Sequence, residues 1–328
     1  MIGMFGVTLI RPWHLLAVAA VFCVPATIAS PASASAPMAK IAAPGFYRFM
    51  LGDFEVTALS DGTDSVDVTT VLRNVSAEKI RQGLDKWHVT GPVMFSYNAF
   101  LINTGSKLVL VDTGSGESGA PALGRMVGNL KASGYQPAQV DEVYITHMHG
   151  DHIGGLTAAG HAVFANAIVR ADRKEGDYWL TRAHAAKAPP DFKDAFKAAI
   201  DTLAPYVAAG RYKPFDGGVT LAPGITAVPS HGHTPGHCSY LVESKGHRLL
   251  LIGDLIHVQA VQFDNPTATL VWDSDGKMAA AERIKDFKAA ASQGILLGAA
   301  HVSFPGLGYV APNGAGFEWL PLRYQQLQ

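Results

Sequence analysis

His147, His149, Asp151 and His152 stand within one run of six residues, inside THMHGDHIGG. Imidazole nitrogen and carboxylate oxygen are the donors that hold zinc and similar borderline cations. A segment this short cannot surround an ion, so donors from elsewhere must complete the shell. Two later segments offer them: SHGHTPGH at 230–237, with His231, His233 and His237, and AAHVSFPG at 299–306, with His301. Between them Asp254 follows the apolar run LLLIG. A carboxylate that ends a buried strand needs a cation or strong hydrogen bonds. Asp112, ending KLVLVD, has the same placement and is expected to orient a ligand histidine. His231 and His237 are expected beside the site or at the surface rather than on a metal.

Spacing says how many ions to expect. His147 and His149 are two apart, so extended backbone can put both on one side. Asp151 and His152 are adjacent and diverge unless the chain turns, which Gly150, Gly154 and Gly155 permit. A loop that aims one pair each way suits two neighbouring cations better than one.

The elements that must position these residues follow from periodicity. Residues 53–62 alternate and end in a turn, as a strand does. Residues 96–103 and 107–112 form a hairpin pattern around Thr104-Gly105-Ser106. Residues 122–133 read as a helix with Leu123, Met126, Val127 and Leu130 on one stripe. Residues 140–146 form a buried strand that delivers the histidine cluster at its end. Helices are predicted over 173–182, 191–209 and 279–292, the second with Phe192, Phe196, Ile200 and Leu203 at helical spacing. Short strands are predicted over 225–229, 238–243, 248–253, 295–299 and 317–322. This order fits two sheets with helices outside, an α/β arrangement in one domain.

Composition narrows the function. The chain has 328 residues, 48% hydrophobic and 16% charged, with a net charge of −1 and no dense Lys/Arg run. That excludes a nucleic-acid partner read from charge. At the N-terminus Arg11 and His14 precede an apolar stretch at 15–29 and the small residues SPASASAP. Ala32-Ser33-Ala34 suits cleavage after Ala34, so residues 1–34 are expected to be a secretion signal and 35–328 the mature domain. An exported protein, periplasmic or secreted, is expected, without stable membrane association after the signal is removed. Cys23 follows Phe22 rather than a small residue, which argues against acylation there. Cys238 is then the one cysteine left, so no internal disulfide is expected.

THMHGDHIGG, HGHTPGH, the Gly253-Asp254 step and His301 together resemble the metallo-β-lactamase fold superfamily. That resemblance implies an αββα four-layer sandwich with the metals at one edge of the two sheets. A narrower match joins GDFEVTALSDGT, LVLVDTG, HMHGDHIGGL, SHGHTPGH, VQFDNP and SFPGLG, which are similar to the exported methyl parathion hydrolase group of organophosphate, lactone and aryl-ester hydrolases. The resemblance implies one ion on His147, His149 and His233, another on Asp151, His152 and His301, and Asp254 bridging them. Asp112 and His237, from their own placement, are expected behind these ligands. Two divalent ions per chain, zinc by family habit, would activate water for attack on a carbonyl or phosphoryl centre. Asp254, and less so Asp151, are the expected catalytic carboxylates.

Substrate choice falls to shape. Trp179, Phe196, His257, Leu270 and Trp272 are the expected pocket residues, and aromatic walls suit a flat, small, uncharged substrate. Bulky Trp272 and polar His257 stand where phosphotriesterases of the group are roomier. An aromatic lactone or aryl ester is therefore expected as main substrate, with slower phosphotriester turnover. The alternatives are a phosphotriesterase proper and a mononuclear iron sulfur dioxygenase on the same fold. Dimerisation is common in the group.

Overall fold

Alternation within the strands decides the layers. In Leu108–Val111, Leu108 and Leu110 point to one side of their sheet and Val109 and Val111 to the other, and all four are buried. In His247–Leu251, Leu249 and Leu251 face the first sheet while Leu250 faces away from it. A sheet that is apolar on both faces must be covered on both. Two such sheets pack face to face and each takes helices on its outer side, which makes the αββα sandwich.

The computed structural model describes residues 36–188 and 190–324, without the side chains of Ser118 and Asp191. The secretion signal expected at 1–34 lies outside the described residues. Residues 36–41 have no regular secondary structure. The described residues from Ala42 onward form the sandwich. Among the described residues no helix is long and apolar enough to cross a membrane.

The first, six-stranded sheet runs in chain order: Phe46–Leu51, Phe54–Val66, Val93–Asn103, Leu108–Val111, Glu142–Tyr144 and Ile168–Arg170. Its first four strands are antiparallel and the last two join in parallel. Met126–Ala132 and Pro190–Ala208 cover its outer face through Met126, Leu130, Phe196, Leu203 and Tyr206. The second sheet has seven strands in chain order, from Thr220–Ala222 through Ile225–Pro229, Cys238–Ser244, His247–Leu251, Leu296–Gly298 and Leu307–Asn313 to Gly316–Pro321. Gly276–Gln293 covers it through Phe287 and Ala290. Tyr144, Tyr240, Val111 and Leu251 are among the residues between the sheets.

Several elements differ from the prediction or were not among those predicted, the helix Ala77–Lys86 and the strand Phe46–Leu51 included. The helix expected over 122–133 begins at Met126. Gly124 sits at φ +79°, and the Asp61 carboxylate accepts the backbone N–H groups of Ser115, Gly124 and Met126 at 2.9, 3.1 and 3.1 Å, holding the chain in a turn. The helix expected over 173–182 splits into Arg173–Trp179 and Arg182–Lys187, with extended Thr181 between. Leu307–Asn313 is a strand that was not among those predicted. It pairs with Gly316–Pro321, and a hairpin partner outweighs weak local propensity.

Candidate metal centre

Every donor-bearing loop leaves a strand at the same edge of the sandwich. Leu108–Val111 delivers Asp112, Glu142–Tyr144 the histidine run, His247–Leu251 Asp254, and Leu296–Gly298 His301. Asp112 anchors the first loop, accepting the Thr146 N–H and hydroxyl at 2.8 Å each. His149 is still extended, and the short helix Gly150–Ile153 starts after it. That single turn aims Asp151 and His152 at a second group of donors, with the His147 and His152 rings still 4.0 Å apart.

Two donor sets result, with Asp254 between them. In the first, His149 Nδ1 lies 2.9 Å from His147 Nε2 and 3.1 Å from His233 Nε2. Asp254 Oδ2 lies 3.5 Å from His147 Nε2 and 3.3 Å from His233 Nε2. In the second, Asp151 Oδ2 lies 3.3 Å from both His152 Nε2 and His301 Nε2. Asp254 Oδ1 lies 3.2 Å from the same two nitrogens.

These residues fit a pair of divalent cations. Three imidazole nitrogens that meet at about 3 Å need a proton or a cation among their lone pairs. His152 Nε2 and Asp254 Oδ1 are buried without a hydrogen-bond partner, a cost of about 1–3 kcal/mol each if nothing else met them. Charge agrees. Burial pushes the His149 imidazole down to about 3. Burial also opposes charge on His233 and His301, yet the neighbouring carboxylates outweigh it and raise them to about 9 and about 10. Burial works to raise Asp151 and Asp254 too, and the surrounding imidazoles instead hold both well below the usual carboxylate range. The carboxylates demand positive charge on both sides of Asp254.

The far nitrogens of the rings are fixed from behind. His152 Nδ1 meets Asp112 at 2.8 Å, His233 Nδ1 meets Asp273 at 2.8 Å, His147 Nδ1 meets the Thr146 hydroxyl at 3.1 Å, and His301 Nδ1 meets the Ser96 carbonyl at 3.1 Å. Such contacts set ring orientation and donor strength. His237 contributes no donor atom to either set. Its Nδ1 faces the Ser230 carbonyl at 3.0 Å, and its Nε2 accepts the Asp254 N–H at 3.1 Å, so it places the bridging residue through the backbone. Gly253 makes room for this. It lies at φ +49°, and a Cβ there would stand 2.7 Å from His237 Nε2. His231 lies outside both sets, 3.6 Å from Asp172. Sequence reasoning missed Asp273 and the Ser96 carbonyl. Asp273 sits in a polar run, WDSD, that reads as a loop before a helix, and backbone carbonyls carry no residue signal.

A cavity of about 610 Å³ opens above the donors, lined by His149, Asp151, Asp254 and His301 at its floor. Trp179, His257 and Trp272 line it. His257 Nε2 lies 2.9 Å from Asp254 Oδ2, and its ring stacks on His301 with centroids 4.8 Å apart. Two pocket expectations are corrected. Phe196 is buried behind Trp179, with ring centroids 4.7 Å apart, and Phe192 and Ala195 on the same helix face the cavity instead. Leu270 is buried against Leu72 and Val68, while Val271 and Trp272 line the wall. Ala195 is one position from Phe196 on its helix and so turns to a different face, and Val271 and Trp272 follow the end of the strand Thr269–Leu270. Phe95, Tyr97 and Leu123 also line the cavity, and the Tyr97 ring stands edge-on to His301 at 4.8 Å.

Known proteins resemble this chain to differing degrees. The family described as "Metallo-beta-lactamase superfamily" matches residues 93–293, well over half of the chain. The crystal structure of hydrolase AbOPH in the beta lactamase superfamily is 35% identical, with a TM-score of 0.83, covering 87% of this chain and 100% of that one. AidC, a dizinc quorum-quenching lactonase solved with the product N-hexnoyl-L-homoserine, is 26% identical, with a TM-score of 0.79, covering 86% of this chain and 99% of that one. An N-acyl homoserine lactonase from Bacillus sp is 26% identical over 207 residues, 57% of this chain and 74% of that relative. The chain belongs to the metallo-β-lactamase superfamily and is a metal-dependent hydrolase of that fold.

Proposed function

We propose that this protein hydrolyses small uncharged lactones or aryl esters at a binuclear centre, with zinc as the native ion. The observation that carries the reading is the pair of complete donor sets sharing Asp254 at the floor of an aromatic-walled cavity. Imidazole and carboxylate donors in sets of four suit zinc, and the dizinc lactonase AidC supports that choice. The relatives named as lactonases support the substrate class.

Two cations held there would lower the pKa of a water and polarise the substrate carbonyl. The chain's own residues do the rest. Asp254 presents one oxygen to each donor set and so spaces them. His257, bonded to the Asp254 carboxylate, stacked on His301 and 5.7 Å from Trp272, ties that spacing to the cavity wall. Asp151 is 27% exposed in its side chain and lines the cavity, so it is the carboxylate a bound substrate meets first. Trp179, Phe95 and Trp272 displace water from a flat substrate and match its apolar faces.

A substrate panel on protein of known metal content tests the reading: dihydrocoumarin, phenyl acetate, an N-acyl homoserine lactone, methyl paraoxon and a β-lactam. Lactones or phenyl acetate should turn over fastest. Methyl paraoxon as the fastest substrate would reverse the assignment. In the same panel Trp272→Leu should raise the phosphotriester rate relative to the lactone rate, because a tetrahedral centre needs more width. An unchanged ratio would place Trp272 outside the productive pocket.

A further inference from the structure

We propose that Glu175 is a positioning residue: it clamps the loop of His147 and His149 to the loop of His233, and thereby sets the metal affinity of that donor set alone. The proposal rests on the binuclear reading above. Glu175 lies on Arg173–Trp179, outside both loops, and is fully buried. Its Oε1 accepts the Met148 N–H at 2.8 Å, between the two histidines. Its Oε2 accepts the Thr234 hydroxyl and the Gly236 N–H, both at 2.8 Å, just after His233.

The three donors come from the two loops, and no Lys or Arg is among them. A buried carboxylate without a cation is costly, and hydrogen bonds from three donors offset that cost only while both loops stay in place. The approach is close on purpose of geometry: a Cβ on Gly236 would stand 2.3 Å from the Glu175 backbone nitrogen, so only glycine lets the second loop reach the carboxylate. The other donor set has no such need. Asp151 and His152 share one short helix, and His301 is held by the Ser96 carbonyl.

Glu175→Gln keeps size and shape but turns an NH2 toward backbone or hydroxyl donors. Holoenzyme and variant are titrated with a zinc chelator and the remaining metal is measured by elemental analysis, alongside visible spectra of the cobalt-substituted forms. In Glu175→Gln one ion should leave at roughly tenfold or more lower chelator concentration while the other stays as in wild type. The cobalt bands of one site should change. Thr234→Val removes a single donor and should shift the same ion less far; it carries the test if Glu175→Gln does not fold. Wild-type retention of both ions in the variants, or parallel release of both, would overturn the clamp. So would a lower melting temperature of the metal-free protein with metal affinities unchanged, the signature of a merely structural residue. Wild-type protein that holds fewer than two ions would instead sink the binuclear reading itself.

Discussion

The two donor sets share Asp254 and differ in nearly everything else. One consists of His147, His149 and His233, imidazoles from two loops, with His147 and His233 wholly buried. The other adds a second carboxylate, Asp151, which is partly exposed on the cavity side, to His152 and His301. An ion in the first set would be neutralised by Asp254 alone, and an ion in the second by two carboxylates. The first therefore keeps more positive charge for an electron-rich group of the substrate. The supports differ as well: Asp273 stands behind the first set and Asp112 behind the second. Sharing one carboxylate couples the sets, while separate supports let each be tuned alone.

The largest test removes what is shared. Asp254→Ala should empty both sets and lower turnover by orders of magnitude, read by metal analysis and steady-state rates. Full metal content with full activity would take Asp254 out of the centre. The next separates the sets. Asp273→Asn should weaken the ion of the all-imidazole set, and Asp112→Asn that of the set containing Asp151, each by about 10–100-fold. Chelator titration of cobalt-substituted protein distinguishes them, and identical responses would erase the asymmetry.

The smallest effect at the site comes from a buried carboxyl away from it. Burial first, with Glu282 adding to it, lifts Asp286 to about 6. The folded chain thus binds this proton more tightly than the unfolded one. The charge is no penalty below pH about 4, and stability falls as pH rises through about 4 to 6. Asp286→Asn should then stabilise the protein at pH 7 by up to about 2 kcal/mol, with little change at pH 4 and none in metal content. Urea titrations at the two pH values check this, and equal stability changes at both would remove ionisation as the cause.

Much of this was legible before any coordinates. Seven side chains gathered around the cavity floor were named from residue type and motif, because metal donors come from a short list and their strand-end positions follow apolar runs such as LLLIG. Asp112 was readable for the same reason. Asp273 and Glu175 were not. Each is one acid among charged neighbours, in WDSD and in RKEGDYW, and only burial and a partner from a distant segment distinguish it. Phe196 and Phe192 show a second limit. Both sit at helical spacing, and periodicity does not say which faces the core and which the cavity.

By itself, then, the sequence determined the kind of chemistry, since donor types and the apolar alternation of the strands are local properties. It determined the layered architecture too, because strands such as LVLV, apolar on both faces, can be satisfied only by cover on both sides. Only the tertiary structure decided which donors share a set, which side chains orient them and which walls shape the cavity. Those are relations between residues as far apart as His149 and His233, and distance along a chain carries no distance in space until the sheets pack.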